Sequence, residues 1–162
     1  MHLKYFLKLS PIFILIMLAF SACKKSTDVD PAKQLIADEA LIKDFIAKNN
    51  ISAIRHESGI YFQILVPGTG NITYSANTTV TANYTGRLLN GTVFDKNTPN
   101  PPLAFILGKV IDGWKIGVPL IQKGGKIRLF IPSGYGYGST SAGTIPPNSV
   151  LDFDIELVDV QN

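Results

Sequence analysis

Six aromatic side chains stand in a glycine-punctuated region that contains neither histidine nor cysteine: Tyr84, Phe94, Phe105, Trp114, Tyr137 and Phe153. Strand alternation would allow them to line one apolar cup with a few polar groups on its wall. Such a cup suits a reaction that needs no nucleophile, metal or cofactor, only a dry and shaped space in which a peptide bond twists. We therefore predict a site that holds no metal and no cofactor.

The elements that must position these rings are mostly strands. Apolar and polar residues alternate over six segments, 60–65, 79–85, 92–94, 103–107, 126–131 and 151–157. Strict alternation predicts strands with one buried and one solvated face, as in an antiparallel sheet. Asn90-Gly91 is typical of a tight hairpin, and residues 112–120 have room only for a short helix that carries Trp114 inward. The predicted fold class is α+β, a curled antiparallel sheet closed over one short helix.

The N-terminus has the order of parts of a secretory signal peptide. Lys4 and Lys8 supply positive charge, residues 12–20 are an unbroken apolar run, and two small residues, Ser21 and Ala22, follow. We predict that residues 1–22 are a signal peptide. A bilayer-spanning helix needs about 20 apolar residues, and polar residues interrupt this run, so an uncleaved signal anchor is the alternative.

Cys23 is the only cysteine of the chain, so it cannot form an intramolecular disulfide. The segment from Phe20 to Cys23 resembles a bacterial lipobox, in which the cysteine becomes the lipidated first residue of the mature protein, although Phe20 stands where an aliphatic residue is usual. Lipidation would anchor the protein to a membrane, with residues 23–31 as the tether. The predicted location is the bacterial cell envelope, at a periplasmic or outer-membrane face. A chance cysteine near the cleavage site is the alternative.

Composition and charge exclude some partners. The 162 residues are 46% hydrophobic and 17% charged, which is typical of a globular protein. Removal of residues 1–22 takes away two of fifteen basic residues and none of twelve acidic ones, so the mature net charge is +1. Lysines and arginines are scattered and form no stripe, and we predict no nucleic-acid partner.

One amphipathic helix precedes the strands. Asp30-Pro31 is typical of a helix N-cap followed by proline at the first helical position. Apolar residues then recur with helical spacing up to Asn49-Asn50, which predicts a helix of about 18 residues. We assign residues 32–57 to this helix and a linker. We expect its apolar face to pack on its own domain and the protein to be a monomer, with a dimer contact as the alternative.

Residues 58–160 resemble an FKBP-type peptidyl-prolyl cis-trans isomerase domain, so we assign 58–162 to such a domain. The matching stretches are Tyr84-Thr85-Gly86, Gly91-Thr92-Val93-Phe94-Asp95, Phe105-Ile106-Leu107-Gly108, Val110-Ile111-Asp112-Gly113-Trp114, Gly117-Val118, Ile131-Pro132, Tyr135-Gly136-Tyr137-Gly138, Ile145-Pro146-Pro147 and Leu151-Asp152-Phe153-Asp154-Ile155-Glu156-Leu157. Each is weak alone, but together their order and spacing are specific. The resemblance implies a half-barrel of about five antiparallel strands wrapped on a short helix.

The resemblance also implies roles for individual residues. Trp114 matches the floor on which a proline ring rests, and Asp95 matches a polar wall group near Tyr84. Tyr137 matches a hydroxyl donor to the substrate carbonyl, and Ile145 matches a residue whose backbone N–H also donates to it. The matching walls are Tyr84, Phe94, Phe105, Val110, Ile111 and Phe153, with Leu103 where many members carry an aromatic residue. Members often hold the aspartate with an arginine; here only Lys96, Asn97 and Asn100 are available.

Two functions are compatible with these residues. The first is a peptidyl-prolyl cis-trans isomerase that assists the folding of exported proteins and takes proline-containing polypeptides as partners. The second is an envelope-anchored chaperone or proline-peptide-binding module that keeps the cup but has little turnover. Retention of the whole predicted set of aromatic and polar site residues favours the enzyme.

Overall fold

The computed structural model describes residues 30–97 and 101–162. Its helices and strands are α1 (Pro31–Lys48), β1 (Ile54–Arg55), β2 (Tyr61–Val66), β3 (Thr79–Leu88), β4 (Val93–Lys96), β5 (Leu103–Ile106), α2 (Asp112–Gly117), β6 (Lys126–Ile131) and β7 (Leu151–Gln161). The predicted signal peptide, Cys23 and most of the predicted tether lie outside the described residues, as does Asn100. Within the described ranges no helix is both long and apolar enough to cross a membrane.

All strands described belong to one antiparallel sheet in the order β1-β2-β6-β7-β3-β4, with β5 also paired to β3. The predicted α+β class is therefore confirmed. The strands described number seven rather than about five. The two-residue β1 is one addition, and the edge beyond β3 is divided between β4 and β5. The long central pair β3 and β7 brings Gly86 opposite Phe153.

The alternation of residues along β3 and β7 separates an apolar face from a charged face. Val80, Ala82 and Tyr84 point into the core with at most 8% of their surface exposed. On the other face Arg128 of β6 binds Asp152 with two hydrogen bonds of 2.9 and 2.8 Å, and Arg87 pairs with Asp154. The sheet thus encloses its core on the face that carries the predicted site residues.

Helix α2 lies unusually close to β6 because two glycines face the strand. A Cβ atom at Gly113 would stand 2.5 Å from Ile131 Cγ2, and one at Gly117 would stand 2.5 Å from Leu129 Cδ1. Residues four apart share one face of a helix, so both glycines lie on the face turned to the sheet. This close approach brings Trp114 into the core, where 4% of its surface is exposed.

Helix α1 packs on its own domain, as expected. It has the predicted 18 residues from Pro31 to Lys48, and the Asp30 carboxylate accepts the Ala32 N–H at 3.0 Å. Ile42 is fully buried in a small second core with Phe130. Two carboxylates of the helix, those of Asp38 and Glu39, bind groups of the sheet domain. The expectation of a monomer stays a prediction.

Candidate functional site

The curled sheet and α2 enclose an open cavity of about 290 Å³. Its lining residues are Tyr84, Asp95, Phe105, Lys109, Val110, Ile111, Trp114, Tyr137 and Phe153. Small-molecule pockets in proteins usually occupy about 300–1,000 Å³, so this one lies at the small end of that range. Its size and its mostly apolar lining suit one compact apolar side chain and the peptide groups next to it.

Three rings surround the indole of Trp114 at the base of the cavity. The ring centroids of Tyr84, Phe105 and Phe153 lie 5.3, 5.5 and 5.5 Å from it. The angles between their planes and the indole are 85°, 70° and 85°. Edge-to-face contacts at such distances stabilise aromatic pairs beyond simple burial. The rings therefore support one another as a preformed box with a flat floor.

The indole nitrogen of Trp114 is a buried donor without an acceptor among the described residues. An unpaired buried donor costs about 1–3 kcal/mol. Its partner must come from water, from a bound molecule or from the weaker attraction of a ring face. The floor of the cavity is thus not a fully satisfied piece of core.

Polar groups are gathered on one side of the cavity. The Tyr84 hydroxyl donates to Asp95 Oδ2 at 2.8 Å. Burial, followed by this bond and the charge of Asp95, raises the pKa of Tyr84 to about 12. Because a raised pKa keeps a phenol protonated, Tyr84 remains a donor to Asp95 throughout the physiological range. The polar wall is therefore held in one arrangement.

Tyr137 completes this side with a hydroxyl that has no hydrogen-bond partner within the described ranges. Its side chain is 41% exposed, and burial of the ring, with the charge of Asp95, raises its pKa. The residue lies between Gly136 and Gly138, whose N–H groups donate to the Ser133 carbonyl at 2.9 and 2.8 Å. A turn closed by two such bonds holds an unpaired donor at the rim of an apolar box.

Comparison with known proteins places this arrangement in a family. Residues 70–158, more than half of the chain, match the model of the family described as FKBP-type peptidyl-prolyl cis-trans isomerase. The chain belongs to that family. The matched segment contains α2 and the four rings of the box, which we call the ring box: Tyr84, Phe105, Trp114 and Phe153. Helix α1 lies outside the matched segment.

Relatives of known name agree with this assignment. The chain is 38% identical to the FKBP-type isomerase FkpA of Escherichia coli K12 over 147 residues, which cover 88% of this chain and 54% of that protein. FkpA of Buchnera aphidicola from Schizaphis graminum is also 38% identical, over 88% of this chain and 56% of the relative. The chain thus spans about half the length of these curated relatives.

Solved structures match the fold. The crystal structure of FkpA from Escherichia coli superposes with a TM-score of 0.69 and 38% identity, covering 80% of this chain and 62% of that one. A peptidyl-prolyl cis-trans isomerase from Pseudomonas syringae superposes with a TM-score of 0.68 and 36% identity, covering 84% of this chain and 99% of that one. The second match covers almost the whole of the Pseudomonas syringae chain.

The structure brings most of the predicted site residues of the FKBP-type domain together. Eight of them line the cavity: Tyr84, Asp95, Phe105, Val110, Ile111, Trp114, Tyr137 and Phe153. Phe94 lies behind this lining, with its ring centroid 5.4 Å from that of Phe153 at 84°. Leu103 is not among the lining residues; it is 42% exposed in the edge strand β5. The roles of these residues stay predictions.

The role predicted for the backbone of Ile145 is not available in this structure. Its N–H donates to the Ala142 carbonyl at 2.9 Å, in a small turn where the Ala142 N–H also donates to the Ile145 carbonyl at 3.0 Å. The residue is 5% exposed and packs in the core cluster. To donate to a substrate, this N–H would first have to give up or share its bond to Ala142.

Two features of the cavity were missed from the sequence. The first is the Ile111 N–H: Ile111 was predicted as a wall residue only, but its N–H has no acceptor among the residues described and precedes the first turn of α2, where N–H groups lack helical partners. Lys109, in the tight turn just before, is exposed and also lines the cavity.

The neighbours available in place of the family's arginine can be followed in part. Asn97 is occupied with the backbone of β3: its side chain accepts the Tyr84 N–H at 2.7 Å and donates to the Ala82 carbonyl at 2.8 Å. Lys96 is exposed in β4. The Tyr84 hydroxyl is instead the group that holds Asp95.

Proposed function

We propose that this chain is a peptidyl-prolyl cis-trans isomerase acting on proline-containing polypeptides. The observation that carries the proposal is the ring box on Trp114, an open apolar cavity with one unpaired hydroxyl, that of Tyr137, at its rim. A proline ring on the indole would be held by shape, while the peptide bond before it turns at the polar side.

The chemistry asked of such a site is modest. Resonance gives the peptide bond a rotation barrier of about 18–20 kcal/mol, and X-Pro bonds exchange in roughly 10–100 s without a catalyst. Twisting the bond breaks the resonance and reduces the charge on the carbonyl oxygen, so removal of water destabilises the planar form more than the twisted one. A thousandfold acceleration needs only about 4 kcal/mol. Shape selection and partial desolvation are sufficient to supply it without a general base.

Hydrogen-bond donors at the rim of the cavity would hold the substrate while the peptide bond before proline rotates. The Tyr137 hydroxyl would meet a carbonyl oxygen of the substrate and hold the peptide in position over the indole, which contributes orientation and not stabilisation of charge. The Ile111 N–H takes the place that was predicted for the Ile145 N–H. Asp95 accepts a hydrogen bond from the Tyr84 hydroxyl and so keeps this wall of the cavity in place.

The direct test is a protease-coupled assay with proline peptides and the purified protein. We expect the slow phase of cleavage to accelerate in proportion to protein concentration. Binding of the same peptides is followed by the fluorescence of Trp114, the only tryptophan of the chain. Equal rates with and without protein, while peptides still bind, would replace the enzyme with a proline-peptide-binding module.

Replacement of Tyr137 by phenylalanine is expected to lower kcat/KM about three- to tenfold and to leave Tm unchanged, because its hydroxyl has no partner to lose within the described residues. The matched control is Tyr74→Phe. The Tyr74 hydroxyl donates to the Ile121 carbonyl at 2.7 Å away from the cavity lining, so its loss should lower stability by about 1 kcal/mol without affecting kcat/KM. A lower kcat/KM in Tyr74→Phe, with no change of kcat/KM in Tyr137→Phe, would place the site elsewhere.

We further propose that the protein is exported and held at the cell envelope by lipid on Cys23, where it assists the folding of exported proteins. The support is the order of charged, apolar and small residues before this sole cysteine. Six residues lie between Cys23 and Asp30, and the seven residue steps allow a tether of up to about 25 Å if extended. Mass spectrometry of the membrane-extracted protein is expected to find a chain that begins at an acylated Cys23. An intact chain with unmodified Cys23 would contradict the anchor.

A further inference from the structure

A buried carboxylate joins helix α1 to the turn that carries Tyr137. Asp38 is 0% exposed, and its Oδ2 accepts two hydrogen bonds from Ser133, one from the backbone N–H at 2.7 Å and one from the hydroxyl at 2.6 Å. Its Oδ1 accepts from Gln34 Nε2 at 2.7 Å. Both oxygens of a fully buried carboxylate are therefore paired, which is the condition under which burial of such a group is tolerated.

Ser133 links Asp38 to the turn that carries Tyr137. While its N–H and hydroxyl bind Asp38, its carbonyl accepts the N–H groups of Gly136 and Gly138 at 2.9 and 2.8 Å. Those two residues flank Tyr137. One continuous chain of hydrogen bonds thus runs from the carboxylate on α1, through a single serine, to the N–H groups of the two glycines that flank the tyrosine.

The turn has few other means of keeping its position. Gly134, Gly136 and Gly138 have no side chains to pack, and glycine loses the most conformational freedom when it is ordered. The ring of Tyr137 is 41% exposed. Two further backbone hydrogen bonds hold the turn: the Tyr135 N–H donates to the Pro132 carbonyl at 2.9 Å, and the Asn148 N–H donates to the Gly138 carbonyl at 2.8 Å. The direction of the Tyr137 hydroxyl therefore depends on backbone hydrogen bonds, two of which converge on Ser133.

We propose that Asp38 is a positioning residue that acts through Ser133 to hold Tyr137 at the rim of the cavity. Helix α1, which lies outside the segment matched by the family, is then part of the working site and not only a spacer. The effect on turnover rests on the proposed function of Tyr137, whereas the effect on the turn does not.

The first test measures the turn itself by amide hydrogen exchange of the full chain. Asp38→Asn keeps the size of the side chain but replaces one acceptor oxygen by an NH2 group. We expect exchange at Gly136 and Gly138 to accelerate about tenfold or more, with β7 amides such as that of Ile155 unchanged, because local openings are independent of global unfolding. Ser133→Ala, which keeps the backbone bond, should give a smaller change in the same place.

The control for this test is Asp44→Asn on the same helix. Asp44 is exposed and pairs with Lys48 at 2.7 Å, so its replacement should leave exchange in the turn as it is in the parent. No acceleration at Gly136 and Gly138 in Asp38→Asn, or the same acceleration in β7, would overturn the proposal. The second result would mean that Asp38 supports only the fold as a whole.

The second test is a double-mutant cycle on kcat/KM, measured at a temperature where every variant is folded. Asp38→Asn should lower kcat/KM about three- to tenfold alone, but less than about twofold when combined with Tyr137→Phe, because residues that act through one another are not additive. Equal losses in both backgrounds would overturn the connection to Tyr137. A parent without isomerase activity would refute the proposed function, and the exchange measurement would then decide on the turn alone.

Discussion

Replacement of Trp114 by alanine is expected to lower kcat/KM about 100-fold, equivalent to about 2.7 kcal/mol of transition-state stabilisation, and to lower the free energy of unfolding by about 3–5 kcal/mol. The indole is the common neighbour of three rings, at centroid distances of 5.3 to 5.5 Å. Its loss removes the floor on which a proline ring would rest and also the support of the walls. Water would then enter the space from which the proposed reaction must exclude it.

The two effects are separated with a variant that is destabilised elsewhere in the same core. Leu157 is fully buried in β7 and is not among the cavity-lining residues, so Leu157→Ala should lose about 2–5 kcal/mol of stability with kcat/KM close to that of the parent. Urea unfolding followed by circular dichroism gives the stabilities, and the peptide assay at low temperature gives the rates. If Trp114→Ala keeps kcat/KM within about twofold of Leu157→Ala, the floor is misassigned.

Elements defined by local signals were predictable from the sequence almost to the residue. The Asp30-Pro31 pair sets the start of α1, since an N-cap and a first-turn proline act within a few residues of one another. The alternation around Phe153 likewise predicted a long strand with one buried face. Strand order was not predictable from these patterns, because pairing joins segments far apart in the chain. The division of one edge between β4 and β5 is of that kind.

Prediction of the site from the sequence was limited in the same way. The rings that meet around Trp114 could be predicted, since strand alternation and the family resemblance both place them on the inner face. The state of individual polar groups could not, because it depends on short turns. The Ile145 N–H is taken up by Ala142 across a three-residue interval, and the Ile111 N–H is left unpaired at the start of α2.

Asp38 is a case in which a signal was present but was not used. It falls within the apolar stripe of α1, four residues before the buried Ile42, where a carboxylate has no place unless it finds donors. A polar residue inside an apolar stripe therefore predicts a buried partner elsewhere in the fold. That the partner is Ser133, 95 residues further along the chain, could be learned only from the structure.

Replacement of Gly86 by alanine is expected to lower kcat/KM about tenfold or more, with a loss of about 1–3 kcal/mol in stability from overpacking. Gly86 lies in β3 opposite Phe153. The rings of Phe153 and Phe94 occupy the space that a side chain at this position would need. A Cβ atom there would stand 2.6 Å from Phe153 Cε1 and 2.7 Å from two atoms of Phe94. The rings must swing away, and Phe153 already contacts Trp114 at 5.5 Å, so the displacement narrows the cavity.

The control is a glycine with room for a methyl group. A Cβ atom at Gly134 would meet nothing within 4 Å, so Gly134→Ala should cause no overpacking and no loss of stability, and it serves as the control for the stability change. Phe94→Leu combined with Gly86→Ala removes the ring behind the wall and should restore part of the lost kcat/KM, because Phe153 can then move outward instead of toward the indole. Full activity in Gly86→Ala alone would mean that the spacing of these rings does not limit turnover, since one methyl group is enough to displace them.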